Sequence, residues 1–133
     1  MTLLLDTHAV LWFTLEDPAM GKRSRSLAGQ ALEDGRLAVS SISFWEIALL
    51  VDKGRLQTDL PIPELRSQLL DTGIAELPLT GEIALLSSTL DLHPDPADRF
   101  IAATAILHQA TLVTADTRLL AWKHTLKRQN ARK

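Results

Sequence analysis

The chain has 133 residues, 46% of them hydrophobic, with 14 Lys and Arg against 16 Asp and Glu and no cysteine. That length and apolar content suit one domain with a single well-filled core, and the missing thiols exclude disulfides, thiolate metal sites and a cysteine nucleophile. A net charge of −2 excludes a uniformly basic nucleic-acid binder, no apolar run nears the roughly 18 residues of a membrane span, and a strand-like start directly after Met1 is expected to leave no room for a signal peptide, so a cytoplasmic protein with no membrane partner is expected.

Thr2–Leu5 is a short, almost wholly apolar run of the kind found in a central parallel strand covered on both faces. Thr7–Leu15 reads as a helix closed before Asp17-Pro18, and Ala19–Glu33 as a second helix stopped at Asp34-Gly35. Leu37–Ser40 is strand-like, and Ser43–Lys53 is a helix ending at Gly54. Pro61 and Pro63 open a helix through Asp71, with Gly73 as its stop. Ile74–Leu77 then reads as a strand, Thr80–Leu90 as a helix, and Asp95-Pro96 begins a helix running to about Gln109. Thr111–Thr114 is a strand and Thr117–Trp122 a short helix, while the pattern leaves open whether Thr125-Leu126 adds a last edge strand. Strands and helices alternate throughout, which predicts an α/β fold with a mainly parallel sheet of about four or five strands between helical layers.

Such sheets hold ligands beyond the carboxyl ends of their strands. Asp6 and Asp116 stand at two of those ends, and Glu46 and Asp98 fall in or near the first turn of a helix. Each acid has an ordinary explanation. Asp6 and Asp116 can cap the helices that follow them, and Ser43-Phe44-Trp45-Glu46 fits a capping box. Asp95-Pro96-Ala97-Asp98 supplies an N-cap, a proline at the first helical position and an acid in the first turn. Capping alone gives no reason for four acids to converge on one sheet edge. A dry cluster of unpaired carboxylates costs several kcal/mol per ion, and hard oxygen ligands suit Mg²⁺ or Mn²⁺. A metal centre accounts for all four acids together.

After Asp116 there is no further acid, whereas Arg118, Lys123, Lys127, Arg128, Arg132 and Lys133 are basic, and Lys22, Arg23 and Arg25 form a second cluster. Acids at ion sites with bases at the periphery suit a polyanionic substrate. The competing reading is an ordinary exposed loop and a frayed, solvated tail. His8, His93, His108 and His124 are expected at the surface or at helix ends, since no two have the spacing of a helical zinc pair; the alternative is that His8, two residues after Asp6, or His93, shortly before Asp98, approaches the substrate. Trp12 and Trp45 lie within apolar helical stripes and are expected in the core; Trp122 stays undecided.

The segments LLLDTHAVLW (Leu3–Trp12), SSISFWEIALLVDKGRL (Ser40–Leu56), HPDPADRFIAATAILHQATLVTAD (His93–Asp116) and TRLL (Thr117–Leu120) resemble a PIN-domain ribonuclease of the VapC type, the toxin half of a bacterial toxin–antitoxin pair. Segment order and spacing match along nearly the whole chain. The resemblance implies a PIN-like α/β/α sandwich over residues 1–122, followed by a short basic tail at 123–133 that is left open to include a last edge strand. It puts the family's metal-holding catalytic acids on Asp6, Glu46, Asp98 and Asp116, its Thr or Ser beside the last acid on Thr114, and a supporting N-cap on Asp95.

Mg²⁺- or Mn²⁺-dependent endonucleolysis of RNA is implied, by cation-activated water and without an obligatory histidine base; relatives cut tRNA or ribosomal RNA. The candidate RNA-contacting cations are Arg99, Lys22, Arg23, Arg25 and Lys123. A homodimer and a small VapB-type antitoxin are implied as partners, the antitoxin lying along an apolar groove to which Leu11, Phe13, Leu49, Leu50 and Val51 are compatible contributors. Two rival readings are a non-catalytic RNA- or protein-binding PIN relative and a receiver-like signalling domain. A receiver carries adjacent acids after its first strand and a lysine after a late one, where this chain has Thr7-His8 and Ala115-Asp116.

Overall fold

Leu3, Leu4 and Leu5 are all buried in the computed structural model, which describes residues 1–133, because helices cover both faces of the sheet they belong to. In chain order the elements are β1 (Leu3–Leu5), α1 (Thr7–Thr14), α2 (Lys22–Glu33), β2 (Leu37–Ser40), α3 (Ile42–Asp52) and α4 (Ile62–Asp71). There follow β3 (Ala75–Leu77), α5 (Gly81–Thr89), α6 (Pro96–Leu107), β4 (Thr111–Thr114), α7 (Thr117–Ala121) and β5 (Arg128–Asn130). All five strands are parallel and lie in the order β3-β2-β1-β4-β5, with Leu3 in register with Leu37 on one side and Thr111 on the other.

Alternation along each strand sends its side chains to opposite faces. Leu3, Leu5, Leu37, Val39 and Val113 pack with Val10, Ala28, Ile47 and Leu69 in one core. Leu4, Ala38 and Leu112 pack with Ile101, Ala102, Ala105 and Leu119 in the other. The result is the expected α/β/α sandwich. The chain builds outward from β1 to β3 and then crosses back to β4, so the switch point lies between β1 and β4. Ligand sites form at that crevice in open parallel sheets. No helix is long and apolar enough to cross a membrane.

Two local expectations give way. The second helix begins at Lys22 and not at Ala19, because the Asp17 side chain accepts the Ala19 amide at 2.8 Å and its carbonyl accepts the Met20 amide at 3.1 Å. Such an Asx turn competes with helix for the same backbone donors. The last strand falls at Arg128–Asn130 instead of Thr125-Leu126, and the end of the chain is packed down, not frayed. Gly21 and Arg23 amides at the start of α2 donate to the carbonyls of Ala131 and Lys133 at 2.9 and 2.8 Å, and the Ser24 hydroxyl donates to Asn130 at 2.8 Å. The unpaired donors of a helix start are thus satisfied by the C-terminal segment.

This docking leaves no space for a side chain at Gly21, where a Cβ would overlap the Lys133 backbone. Gly21→Ala is expected to lower stability by about 1–3 kcal/mol, the usual range for overpacking, and to shift the urea midpoint with an unchanged slope. A midpoint equal to wild type would mean that the last residues move aside freely.

Candidate active site

β1 ends at Leu5, but the Asp6 amide still bonds the Val113 carbonyl of β4 at 3.0 Å, so Asp6 is delivered into the switch-point crevice. Its carboxylate caps α1, accepting the Ala9 amide at 2.9 Å, and the nearby Thr114 hydroxyl favours its charged form. Thr114 in turn accepts the Asp116 amide at 3.0 Å. One buried hydroxyl therefore sits beside the acids at the ends of both β1 and β4. Asp6 is only 7% exposed and has no salt-bridge partner. Burial pushes its carboxyl up to about 6 despite the opposing hydrogen bonds.

Asp95 caps α6, accepting the Asp98 amide at 3.2 Å, and this fixes Asp98 in the first turn. Burial also raises the Asp98 carboxyl, helped by the charges of Asp116 and Asp95 and opposed by a hydrogen bond with His93. His93 Nε2 lies 2.7 Å from Asp98 Oδ2. Asp116 caps α7 through the amides of Arg118 and Leu119 at 2.8 and 3.2 Å. Burial acts to raise Asp116 too, yet the hydrogen bonds from the Arg118 side chain and those two amides together hold it below the usual range.

Glu46 reaches the same place from α3. The capping-box expectation fails here: Ser41 stands at the N-cap without a side-chain cap bond, the Ser40 hydroxyl accepts the Ile42 amide at 3.2 Å, and the buried Ser43 hydroxyl accepts from Thr7 at 2.9 Å. That bond pins α3 to α1 just beyond Asp6. Asp6, Glu46, Asp95, Asp98 and Asp116 line one cavity of about 330 Å³, together with Arg118 and Arg132. Ligating atoms of His93, Asp98 and Asp116 lie within 4.8 Å of one another. The donor set is dominated by carboxylate oxygens, one of them buried without a cation, and this chemistry fits a hard divalent ion such as Mg²⁺ or Mn²⁺.

The capping and site readings of these acids hold together. The N-cap geometry orients the carboxylates of Asp6 and Asp116 that the crevice collects.

The basic residues fall elsewhere. Arg99 is turned away from the acids, its guanidinium donating to the carbonyls of Ser87, Leu90, Leu92 and His93, which leaves it no free fork for phosphate. Arg25 donates to the Asp17 carbonyl at 2.8 Å, and Lys22, Arg23 and Lys123 are exposed outside the acidic cavity. The cations that do line it are Arg118, whose Nη2 sits 3.3 Å from Asp116 and 3.7 Å from Asp98, and Arg132, stacked 5.1 Å from the Trp12 ring centre.

Sequence reasoning assigned neither a site role. The signal for Arg118 was available, since a residue two positions after a helix N-cap shares its turn. His93, expected at a surface or helix end, is half-buried against Asp98. Trp45, expected in the core, is 49% exposed, whereas Trp12 is half-buried against the core as expected.

A family model described as PIN domain matches residues 3–123. The chain is 38% identical over 128 residues to Ribonuclease VapC22 of Mycobacterium tuberculosis (strain ATCC 25618 / H37Rv), which covers 92% of this chain and 93% of that protein. VapBC2 from Rickettsia felis, solved bound to a DNA fragment from their promoter, shares the fold with a TM-score of 0.68 at 21% identity over 98% of each chain. FitAcB from Neisseria gonorrhoeae superposes with a TM-score of 0.56 at 26% identity, over 88% of this chain and 89% of that one. An acidic crevice at the β1/β4 switch point, a family match spanning nearly the whole sequence and a relative 38% identical across 93% of its own length lead to one conclusion: the chain belongs to the PIN-domain family, in its VapC-type branch.

Proposed function

We propose that the protein is an endoribonuclease of the toxin type that hydrolyses RNA phosphodiester bonds with Mg²⁺ or Mn²⁺. The observation that supports this reading best is the convergence of Asp6, Glu46, Asp98 and Asp116 from four different elements on one cavity. When bound, such an ion supplies Lewis acidity toward water and phosphoryl oxygens and offsets the negative charge that develops there.

Asp6, Asp98 and Asp116 would hold the ion, and Glu46 would hold it or orient the attacking water. Thr114 and Asp95 act behind them. Thr114 accepts the Asp116 amide beside Asp6, and Asp95 fixes the helix turn that carries Asp98. Preset carboxylates need little reorganisation at the moment of reaction. His93 steadies the Asp98 carboxylate through its ring nitrogen.

The substrate class follows the relative's printed name, Ribonuclease VapC22, with tRNA or ribosomal RNA as the proposed targets. A VapB-type antitoxin is the proposed partner, by analogy with the VapBC2 and FitAcB complexes. For it the chain offers an apolar groove lined by Leu11, Leu15, Leu56, Leu60, Leu65 and Leu69. A homodimer is proposed as the toxin's own assembly.

Incubating purified protein with RNA, with Mg²⁺ or Mn²⁺ and then with excess chelator, tests the reading. Cleavage should require the ion and should fall by about 10²-fold or more in Asp98→Asn, comparable to loss of one preorganised electrostatic group. Chelator-resistant cleavage would overturn the metal-dependent mechanism, and no cleavage from the wild type beside intact RNA binding would favour a non-catalytic PIN relative.

A further inference from the structure

We propose that Arg118 is a substrate-gripping residue which the acidic site stores while it lacks metal: its guanidinium neutralises Asp116 and Asp98 in the ion-free protein and turns to an RNA phosphate once a divalent cation takes those carboxylates. This rests on the nuclease reading above.

The geometry sets Arg118 apart from the other arginines. Arg99 and Arg128 spend their guanidiniums on backbone carbonyls, and Arg132 lies over Trp12. Arg118 alone reaches the acids, at 3.3 and 3.7 Å, through the single nitrogen Nη2. Its backbone is fixed in the first turn of α7, where its amide bonds Asp116. Its side chain is 57% exposed.

An exposed ion pair of this kind contributes little to stability, because water screens it and an ordered side chain loses rotamer freedom. A divalent ion brings twice the charge to the same oxygens. Arg118 is therefore displaced at low cost, yet its Cα stays on the rim of the cavity. The freed planar fork is matched to phosphate oxygens, and a guanidinium is the cation best suited to grip them bidentately. The same side chain thus competes with metal and cooperates with substrate.

That dual role gives Arg118→Gln effects of opposite sign. With a competing cation removed, Mn²⁺ affinity measured by titration calorimetry should rise by roughly three- to tenfold. KM for RNA should rise by roughly tenfold while kcat changes less. The salt dependence of RNA binding should lose about one phosphate contact. Arg118→Lys should recover part of the KM, and the thermal midpoints of both variants should match wild type, given the exposure of this side chain.

A merely structural ion pair would leave KM for RNA and the salt dependence of RNA binding unchanged. Unchanged Mn²⁺ affinity and KM in Arg118→Gln, or a loss in both, with a wild type that binds Mn²⁺ and cuts RNA, overturns the role of Arg118 alone. A wild type that neither takes up Mn²⁺ nor cuts RNA overturns the nuclease reading and this inference with it.

Discussion

Asp6→Asn is expected to raise the unfolding temperature of the metal-free protein at pH 8 while abolishing its cleavage of RNA. Asp6 sits at the centre of the crevice, 7% exposed, and its carboxyl titrates at about 6 in the fold instead of 3.8. The folded pKa is raised, so this group's contribution to stability is fully present below about pH 3.8 and is lost as pH climbs to about 6. Above that the ionised, desolvated carboxylate imposes a constant cost, at most about 3 kcal/mol from the size of the shift.

Asparagine keeps the cap on the Ala9 amide, since it is as good an N-cap as aspartate, but it has no charge to desolvate. A gain of about 1–3 kcal/mol follows at pH 8, or roughly 3–10 °C in thermal midpoint, shrinking toward zero near pH 4. Added Mn²⁺ should reverse the ranking by stabilising the wild type through mass action and leaving the variant unmoved. A variant that melts below wild type at pH 8 without metal would show that Asp6 is held by favourable contacts and bears no electrostatic strain.

Arg99→Leu carries the second large effect. The Arg99 guanidinium is the hub of the turn between α5 and α6, reaching Ser87 and Leu90 carbonyls at 2.8 Å and Leu92 and His93 beyond them. Losing it leaves several half-buried carbonyls without donors, at about 1–3 kcal/mol for each group that water fails to reach. A total of about 3–5 kcal/mol, read from urea unfolding, would consume much of a typical domain's stability.

The loop so released carries His93, which contacts Asp98, so cleavage should fall as well although Arg99 touches no acid. A phosphate-binding arginine would behave differently, raising KM for RNA with an unchanged unfolding curve. That result would restore Arg99 to the substrate side.

The parts of the fold legible from sequence are those where one chemical pattern admits one structure. Leu3–Leu5 and Thr111–Thr114 are short apolar runs, and only a doubly covered parallel strand hides such a run. β5 was hidden because Arg128-Gln129-Asn130 has no apolar alternation at all. It is a polar edge strand, held by its ladder to β4 and by side chains such as Gln129, which donates to Ser24 at 3.2 Å.

Trp45 misled for a related reason. The helix ISFWEIALLVD is apolar nearly all round, so periodicity does not reveal which side meets solvent. Asp6 and Asp116 were visible because connectivity alone carries strand exits to one sheet edge, whereas Glu46 and Asp98 were drawn in by the metal argument and the resemblance. His93 was not. It approaches Asp98 because the Asp95 cap and the Arg99 contacts to the Leu92 and His93 carbonyls hold the loop before α6, and that is a tertiary event with no periodic signature.

The placement of β1 between β2 and β4 has a consequence for how such a protein is made. Leu3–Leu5 is made long before β4, and one of its two edges stays open until residues 111–114 arrive. Asp6 cannot meet Asp98 or Asp116 in a nascent chain that stops short of them. Long-range pairing of this kind is also slow, since its loop must close before any contact rewards it. On the proposed ribonuclease reading, chain order keeps the cutting centre from assembling until nearly the whole polypeptide has been made.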